Sequence, residues 1–145
     1  MEYILVYEKL LQGDKDIPEL LAVYRMSEIA EYFSIDFTNY FTYVTQTENV
    51  FYYKVLKDEK IIGSVHAEIW DNVLHIGLEV HPRYQHKGYG TQILRDIVEN
   101  KIQLQFSFIK ADIAESNIAS LKLFTKAGFV QTGKDKELIT FQYRM

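Results

Sequence analysis

The sequence contains no cysteine. That absence excludes a disulfide framework, a thiolate zinc site and a cysteine nucleophile, and it fits a reducing compartment. Only two prolines, Pro18 and Pro82, and seven glycines occur in the chain. No linker, repeat or low-complexity tract is visible. No apolar run approaches the ~18 residues of a membrane span. Met1-Glu2-Tyr3 lacks the basic-then-apolar opening of a secretory leader. Sixteen Lys and Arg face twenty Asp and Glu, a net charge of −4, and no basic stripe is present. Nucleic acid and membrane are therefore not expected partners, and the expected location is cytoplasmic.

What is present is ordinary for a globular chain: 48% hydrophobic and 25% charged residues. A length of 145 residues fits one domain, 1–145, able to bury roughly two-thirds of its unfolded surface. Tyr3 to Tyr7 reads as a strand. Ile17, Leu20, Leu21 and Tyr24 recur at helical spacing, with Pro18 suited to a helix start. Ser27 is a candidate cap for a short helix through Phe33. Phe37, Tyr40, Phe41 and Val44 repeat as i, i+3, i+4, i+7 and predict a third helix, with Asp36 or Thr38 as its cap. Strands at Val50–Leu56, Ile61–Trp70 and Val73–Val80 are separated by the polar turns Asp58-Glu59-Lys60 and Asp71-Asn72, as in a meander.

The pattern changes after Val80. A glycine-containing loop, Pro82 to Gly90, leads into a helix with Ile93, Leu94, Ile97 and Val98 on one face. A strand near Phe108–Ile113 follows, then a helix from about Asn117 to Ala127 that Gly128 stops. Strands at Phe129–Gly133 and Leu138–Tyr143 end the chain. The expected fold class is α/β: a mixed sheet with an antiparallel N-terminal meander and a β-loop-α-β-α-β-β crossover half.

The informative stretch runs from Leu78 to Thr91. A strand ends, the chain turns, and a helix begins beside two glycines. Helix N-termini carry unpaired N–H groups and partial positive charge, so phosphate is a natural partner. Gly88 and Gly90 let the backbone approach such an anion closely. A dinucleotide fingerprint is excluded because Ile93 stands where its third glycine belongs, and the Gly-Lys-Ser/Thr of a P-loop is absent.

Taken whole, the stretch resembles the acetyl-CoA segment of the GNAT N-acetyltransferase superfamily, Gln/Arg-x-x-Gly-x-Gly/Ala after an apolar-Val-x-Pro strand end. Gln85, Gly88, Gly90, Val80 and Pro82 match it. A second family segment matches Asn117, Ser120, Leu123, Phe124, Lys126, Gly128 and Phe129. The resemblance covers about half the chain, Ile61 to Val130, and implies the GNAT acyl-CoA N-acyltransferase fold with acetyl-CoA as cosubstrate. By position, the amides of Gln85, His86, Lys87, Gly88, Tyr89, Gly90 and Thr91 would hold the pyrophosphate. Leu78 and Val80 would offer backbone groups to the pantetheine arm, on a strand that splays from its neighbour. Asn117, Ser120 and Phe124 would also line the cofactor, and Lys122 or Lys126 would meet the ribose phosphate.

Transfer to an amine needs a base for the amine and a proton for the thiolate. Many family members supply that proton from a tyrosine at the position of Phe124, which has no hydroxyl. The expected substitutes are Tyr84, Tyr89 or Tyr143, or else a proton from water or from the amine itself. Candidate bases are Glu79, beside the expected acetyl group, and Asp112 on the crossover strand. His75, four residues before Glu79 and on its face, is an alternative. The four histidines show no metal-ligand spacing, so no metal is expected.

Nine aromatics lie between Tyr32 and Tyr53. In the family this region walls the acceptor, and two or three of them are expected to face a pocket for an amine. The expected function is therefore an N-acetyltransferase acting by direct attack on acetyl-CoA in a ternary complex, the acceptor being an unidentified amine. The alternatives are a CoA-binding module without turnover, motivated by Phe124, and a structural dimer built on the terminal strands. A homodimer stays open in each case.

Overall fold

The computed structural model describes residues 2–32 and 37–145. Among them are seven strands and five helices. One mixed sheet runs in the order β1-β2-β3-β4-β5-β7-β6. β1 (Val6–Lys9), β2 (Val50–Lys57), β3 (Lys60–Trp70) and β4 (Val73–Val80) form the antiparallel meander. α4 (Tyr89–Val98) crosses over to β5 (Phe108–Ala114), which is parallel to β4. α5 (Ile118–Lys126) leads to the hairpin of β6 (Val130–Asp135) and β7 (Leu138–Arg144). No helix among the described residues is long and apolar enough to cross a membrane.

Strand alternation divides the core in two. Leu74 and Ile76 of β4 and Ile109 and Ala111 of β5 pack with Ile93, Leu94 and Ile97 of α4 and with Phe124 of α5. On the opposite face, α1 (Ile17–Tyr24), α2 (Ser27–Ala30) and α3 (Phe37–Gln46) cover the meander. There Leu20, Val23, Tyr24, Tyr40, Phe41 and Val44 meet Val50 and Tyr52. Several of the aromatics between Tyr32 and Tyr53 are thus core: Tyr40, Phe41 and Tyr52 stack edge-on with ring centroids 5.2 to 6.0 Å apart.

β1 departs from expectation. Tyr3, Leu5 and Tyr7 do alternate into the core, but the ladder begins only at Val6, opposite Leu56, because β2 ends at Lys57. Ser27 is not a cap: the N-cap is Met26, and the Ser27 hydroxyl bonds Glu28 instead. The end expected at Phe33, the Asp36 cap and the Thr38 side chain lie outside the described residues. Gly90 lies within the first turn of α4, whose N-cap is Gly88 at φ +89°. A 3-10 turn, Pro82–Tyr84, occupies the start of the expected loop.

The N-terminal segment is tied to α4 through buried Asp96. It accepts from the Tyr7 hydroxyl at 2.7 Å and from Gln92 Nε2 at 2.8 Å, and it pairs with Lys101 at 3.1 Å. A second buried charge, Lys54, is held by Glu8, Asp14 and Asp16 at 2.9 to 3.1 Å.

Candidate active site

β4 and β5 share three rungs, Val73 with Phe108, Leu74 with Ile109 and His75 with Lys110. Beyond them the strands diverge. The direction of the freed backbone follows from the other side of β4. The His81 N–H donates to the Ile62 carbonyl at 2.9 Å. In an antiparallel ladder this bonding alternates, so Glu79 and Gly77 also turn their backbone groups toward β3. Leu78 and Val80 therefore turn theirs into the gap left by β5. One acceptor there is already engaged, since Gln85 Nε2 donates to the Val80 carbonyl at 3.0 Å. β3 carries a bulge at Ile62, visible as the shift from the pair Val55–Gly63 to Leu56–Ile61. Gly63 is required beside it, because a Cβ there would collide with the Glu79 carbonyl.

The N-terminus of α4 opens onto the same gap. Among the described residues, no backbone N–H from His86 to Thr91 finds an acceptor, leaving a run of donors at the positive end of the helix. Gly90 is packed between elements. A Cβ on it would lie 3.1 Å from Leu123 Cδ2 of α5 and 3.8 Å from Val80 Cγ2. The Tyr89 ring turns inward onto Tyr3, with centroids 4.5 Å apart, so Tyr89 presents only its amide.

On the opposite face of β4, Glu79 is buried. Burial without a counter-charge raises its carboxyl pKa to about 8. His81 lies two residues on, also buried, and burial lowers its imidazole to about 4. Its Nε2 is 3.3 Å from Glu79 Oε1, yet that contact is not aligned as a hydrogen bond. Glu79 Oε2 and His81 Nε2 both lack a hydrogen-bond partner among the described residues. The pair is thus a neutral acid beside a neutral imidazole.

Above Glu79 lies a cluster of hydroxyls. Ser64 stands opposite Glu79 in the β3–β4 ladder. Tyr24 Oη is 3.1 Å from Ser64 Oγ and 2.9 Å from Tyr52 Oη, and its ring lies edge-on to that of Tyr40 with centroids 6.2 Å apart. Tyr40 Oη is 2.6 Å from His66 Nδ1, and His66 Nε2 is 2.6 Å from Glu68 Oε2. Burial pushes the Tyr24, Tyr40 and Tyr52 phenols far above their usual range. A cleft of about 790 Å³ reaches this face from outside. It is lined by Glu19 and Val23 of α1, Met26, Ile61, His81, Arg83 and Tyr84, among others.

The remaining residues singled out from sequence are more dispersed. Asp112 is exposed and accepts from the Thr140 hydroxyl at 2.6 Å. Asn117 is the N-cap of α5, its Oδ1 accepting from the Ser120 N–H at 3.2 Å. Lys122 and Lys126 are exposed on α5. Phe124 is 1% exposed, 5.0 Å from Phe129 and 6.1 Å from Phe141 between ring centroids. Tyr143 packs under Gly128 and Phe129 and pairs with Ile109, at the closed end of the gap. Val80 is six residues further along β4 than Leu74, the partner of Ile109, or about 20 Å at the rise of a strand. His75 is stacked on Trp70, with ring centroids 4.3 Å apart. Sequence reasoning missed His81, although it sits in the matched segment between Val80 and Pro82. It also missed Tyr24, Ser64 and His66, whose sequence separation hides their contact.

Comparison with curated proteins yields no sequence match. Solved structures resemble the fold throughout. A domain from Methanocaldococcus jannaschii superposes with a TM-score of 0.84 at 20% identity, covering 99% of this chain and 100% of that one. The aminoglycoside acetyltransferase AAC(6')-Ib in complex with coenzyme A gives 0.82 at 17% identity, covering 97% and 95%. The N-acetyltransferase PseH of Campylobacter jejuni in complex with acetyl coenzyme A gives 0.76 at 20% identity, covering 97% and 99%. Residues 16–129, which span the splayed strand pair and the open helix N-terminus, match the profile of the acetyltransferase (GNAT) family, and the chain belongs to that family.

Proposed function

We propose that this chain is an acetyl-CoA-dependent N-acetyltransferase with Glu79 as its general base. The observation that carries this reading is the position of Glu79: a buried carboxyl with an unpartnered oxygen, on the strand whose free edge borders the β4–β5 gap. The cofactor side fits as well. The open amides of His86 to Thr91 suit a pyrophosphate, and the freed backbone of Leu78 and Val80 suits an extended amide-bearing arm. Bound there, acetyl-CoA supplies an activated acetyl thioester. The cleft over His81 would admit the amine.

An ammonium group reaching Glu79 must lose a proton before its nitrogen can attack. A carboxyl titrating near pH 8 is well matched to that task, because a base works best when its pKa lies near the operating pH. With no cysteine in the chain, the acyl group has no thiol to rest on, which supports direct attack. Water serves as the proton source for the leaving thiolate in this reading. Asp112 is the weaker candidate base, being exposed and already engaged by Thr140.

A second reading, CoA binding without turnover, is favoured by Phe124, which offers no proton and is surrounded by other phenylalanines. The deciding experiment is acetyl-CoA binding by calorimetry, followed by thiol release over a panel of amines. Binding with release is the expected result. Binding without release across the panel supports the second reading, and no binding overturns both.

A further inference from the structure

The segment that leads into β1 reaches α4 at several levels. The Tyr7 hydroxyl donates to Asp96 at 2.7 Å, the Tyr3 N–H donates to Gln92 Oε1 at 3.3 Å, and the Tyr3 hydroxyl donates to the Lys87 carbonyl at 2.8 Å. Asp96 and Gln92 are spaced by four, as are Gln92 and Gly88, so all three lie along one face of the helix. The segment therefore runs back along that face and abuts the loop at the helix N-terminus. There the Tyr3 ring packs on the Tyr89 ring, with centroids 4.5 Å apart, and a Cβ on Gly88 would meet it at 3.8 Å.

We infer that Tyr3 is a positioning residue for the cosubstrate: it holds the loop in the shape that turns its amides toward the pyrophosphate of acetyl-CoA. The inference rests on the reading of these amides as the pyrophosphate ligands. Among the described residues, the backbone of His86 and Lys87 makes a single hydrogen bond, the one from Tyr3. The loop needs such a brace. His86 stands at φ +63° and Gly88 at φ +89°, and a residue with a Cβ keeps a left-handed conformation only where its surroundings hold it there. The bond also sets a direction. In a trans peptide the carbonyl and the N–H point opposite ways, and no peptide among the described residues is cis. Fixing the Lys87 carbonyl on Tyr3 therefore aims the Gly88 N–H away from the segment, and that N–H finds no acceptor among the described residues. Tyr3 acts through the loop, because its hydroxyl is already engaged by Lys87.

Tyr3→Phe keeps the ring on Tyr89 and removes the hydroxyl. The lost bond lies at the surface, so the variant should fold. Its dissociation constant for acetyl-CoA, read by calorimetry, should rise about five- to tenfold, the worth of one ordinary hydrogen bond. KM for acetyl-CoA should rise with it, while kcat stays within about twofold. Tyr3→Leu, which also strips the aromatic ring from Tyr89, should lose more. A merely structural role for Tyr3 would weaken every cosubstrate alike. The diagnostic probe is therefore S-acetylpantetheine, which has the thioester and the arm but no pyrophosphate. Its kcat/KM should be the same in wild type and in Tyr3→Phe. Equal acetyl-CoA affinities in wild type and Tyr3→Phe overturn the inference, as does an equal loss with both cosubstrates. A wild type that binds no acetyl-CoA, or whose binding survives Gly90→Asp, overturns the placement of the pyrophosphate and the inference with it.

Discussion

Ser64 and Glu79 face each other across the β3–β4 ladder, yet only Ser64 has its side chain tied into a hydrogen-bonded cluster, while Glu79 Oε2 has no partner among the described residues. Glu79 is the acidic side chain that burial leaves waiting for a donor. Replacing it with glutamine should cut kcat by about a hundredfold, within the range of a general base, and leave the acetyl-CoA dissociation constant unchanged. Wild-type kcat/KM should rise with pH, because the base must be ionised, and level off above about 8. A wild-type profile flat from pH 6 to 9 would remove Glu79 from the role.

Glu79 and His81 together set an unusual dependence of stability on pH. Glu79 rises from 4.5 to about 8 on folding, so its contribution is full below pH 4.5 and is lost as pH climbs toward 8. His81 falls from 6.5 to about 4, so its contribution is full above pH 6.5 and is lost as pH drops toward 4. Between pH 4.5 and 6.5 folded and unfolded chains hold the same number of protons at this pair, and its two contributions cancel. Between pH 6.5 and 8 the folded chain holds one more, and stability should fall by up to about 1.4 kcal/mol per pH unit. Denaturant unfolding of Glu79→Gln against wild type should show that slope disappear. It should also expose the acid-side loss from His81, as a decline below pH 6.5 steeper than in wild type.

Gly90→Asp should abolish acetyl-CoA binding in calorimetry. The new side chain starts 3.1 Å from Leu123 Cδ2, and its carboxylate adds negative charge where the α4 amides are open to an anion. Gly90→Ala, which adds bulk without charge, should lose less affinity. Equal affinities for wild type and the Asp variant would mean the anion is held elsewhere.

Asp96 is a buried carboxylate with three partners on three parts of the chain, Tyr7, Gln92 and Lys101. Asp96→Ala strands them and should destabilise the fold by about 3–5 kcal/mol, read by chemical denaturation. Lys101→Ala should also destabilise the fold, because it leaves the buried Asp96 without its cation, though the Tyr7 and Gln92 donors remain.

Much of the scaffold could be read from the chain because it is written in local periodicity. The bounds of β4 are those expected, Val73–Val80, since polar turn residues flank it on one side and Pro82 on the other. Asn117 and Gly128 bracket α5 as caps and stops do. The N-terminal strand was displaced because alternation shows which residues point inward, not where a partner strand ends. Ser27 misled for a related reason: a capping residue type is no cap unless its backbone turns before the helix. The cofactor side was legible because its residues are contiguous, Leu78 to Thr91. The buried hydroxyls beside Glu79 were not. Tyr24, Tyr40, Tyr52, Ser64 and His66 are brought together only by the register of β2 on β3 and the docking of α1 and α3. Each taken alone reads as an ordinary core or surface residue. Phe124 kept its place as a departure from the family pattern, and its packing against Phe129 and Phe141 gives it a structural task of its own.

The three rungs between Val73–His75 and Phe108–Lys110 also fix how the sheet bears load. They form the seam between a four-stranded leaf, β1 to β4, and a three-stranded leaf, β5 to β7. Adjacent seams carry eight pairs between β3 and β4 and seven between β5 and β7. Tension drawn across the sheet reaches the short seam from its open end and meets its rungs one after another, as in peeling, rather than all together, as in shear. Among the described residues the line where β4 and β5 part is therefore the sheet's shortest seam, and side chains of α4 and α5 pack over it. Any guest that hydrogen-bonds to both lips of the gap turns two leaves into one plate.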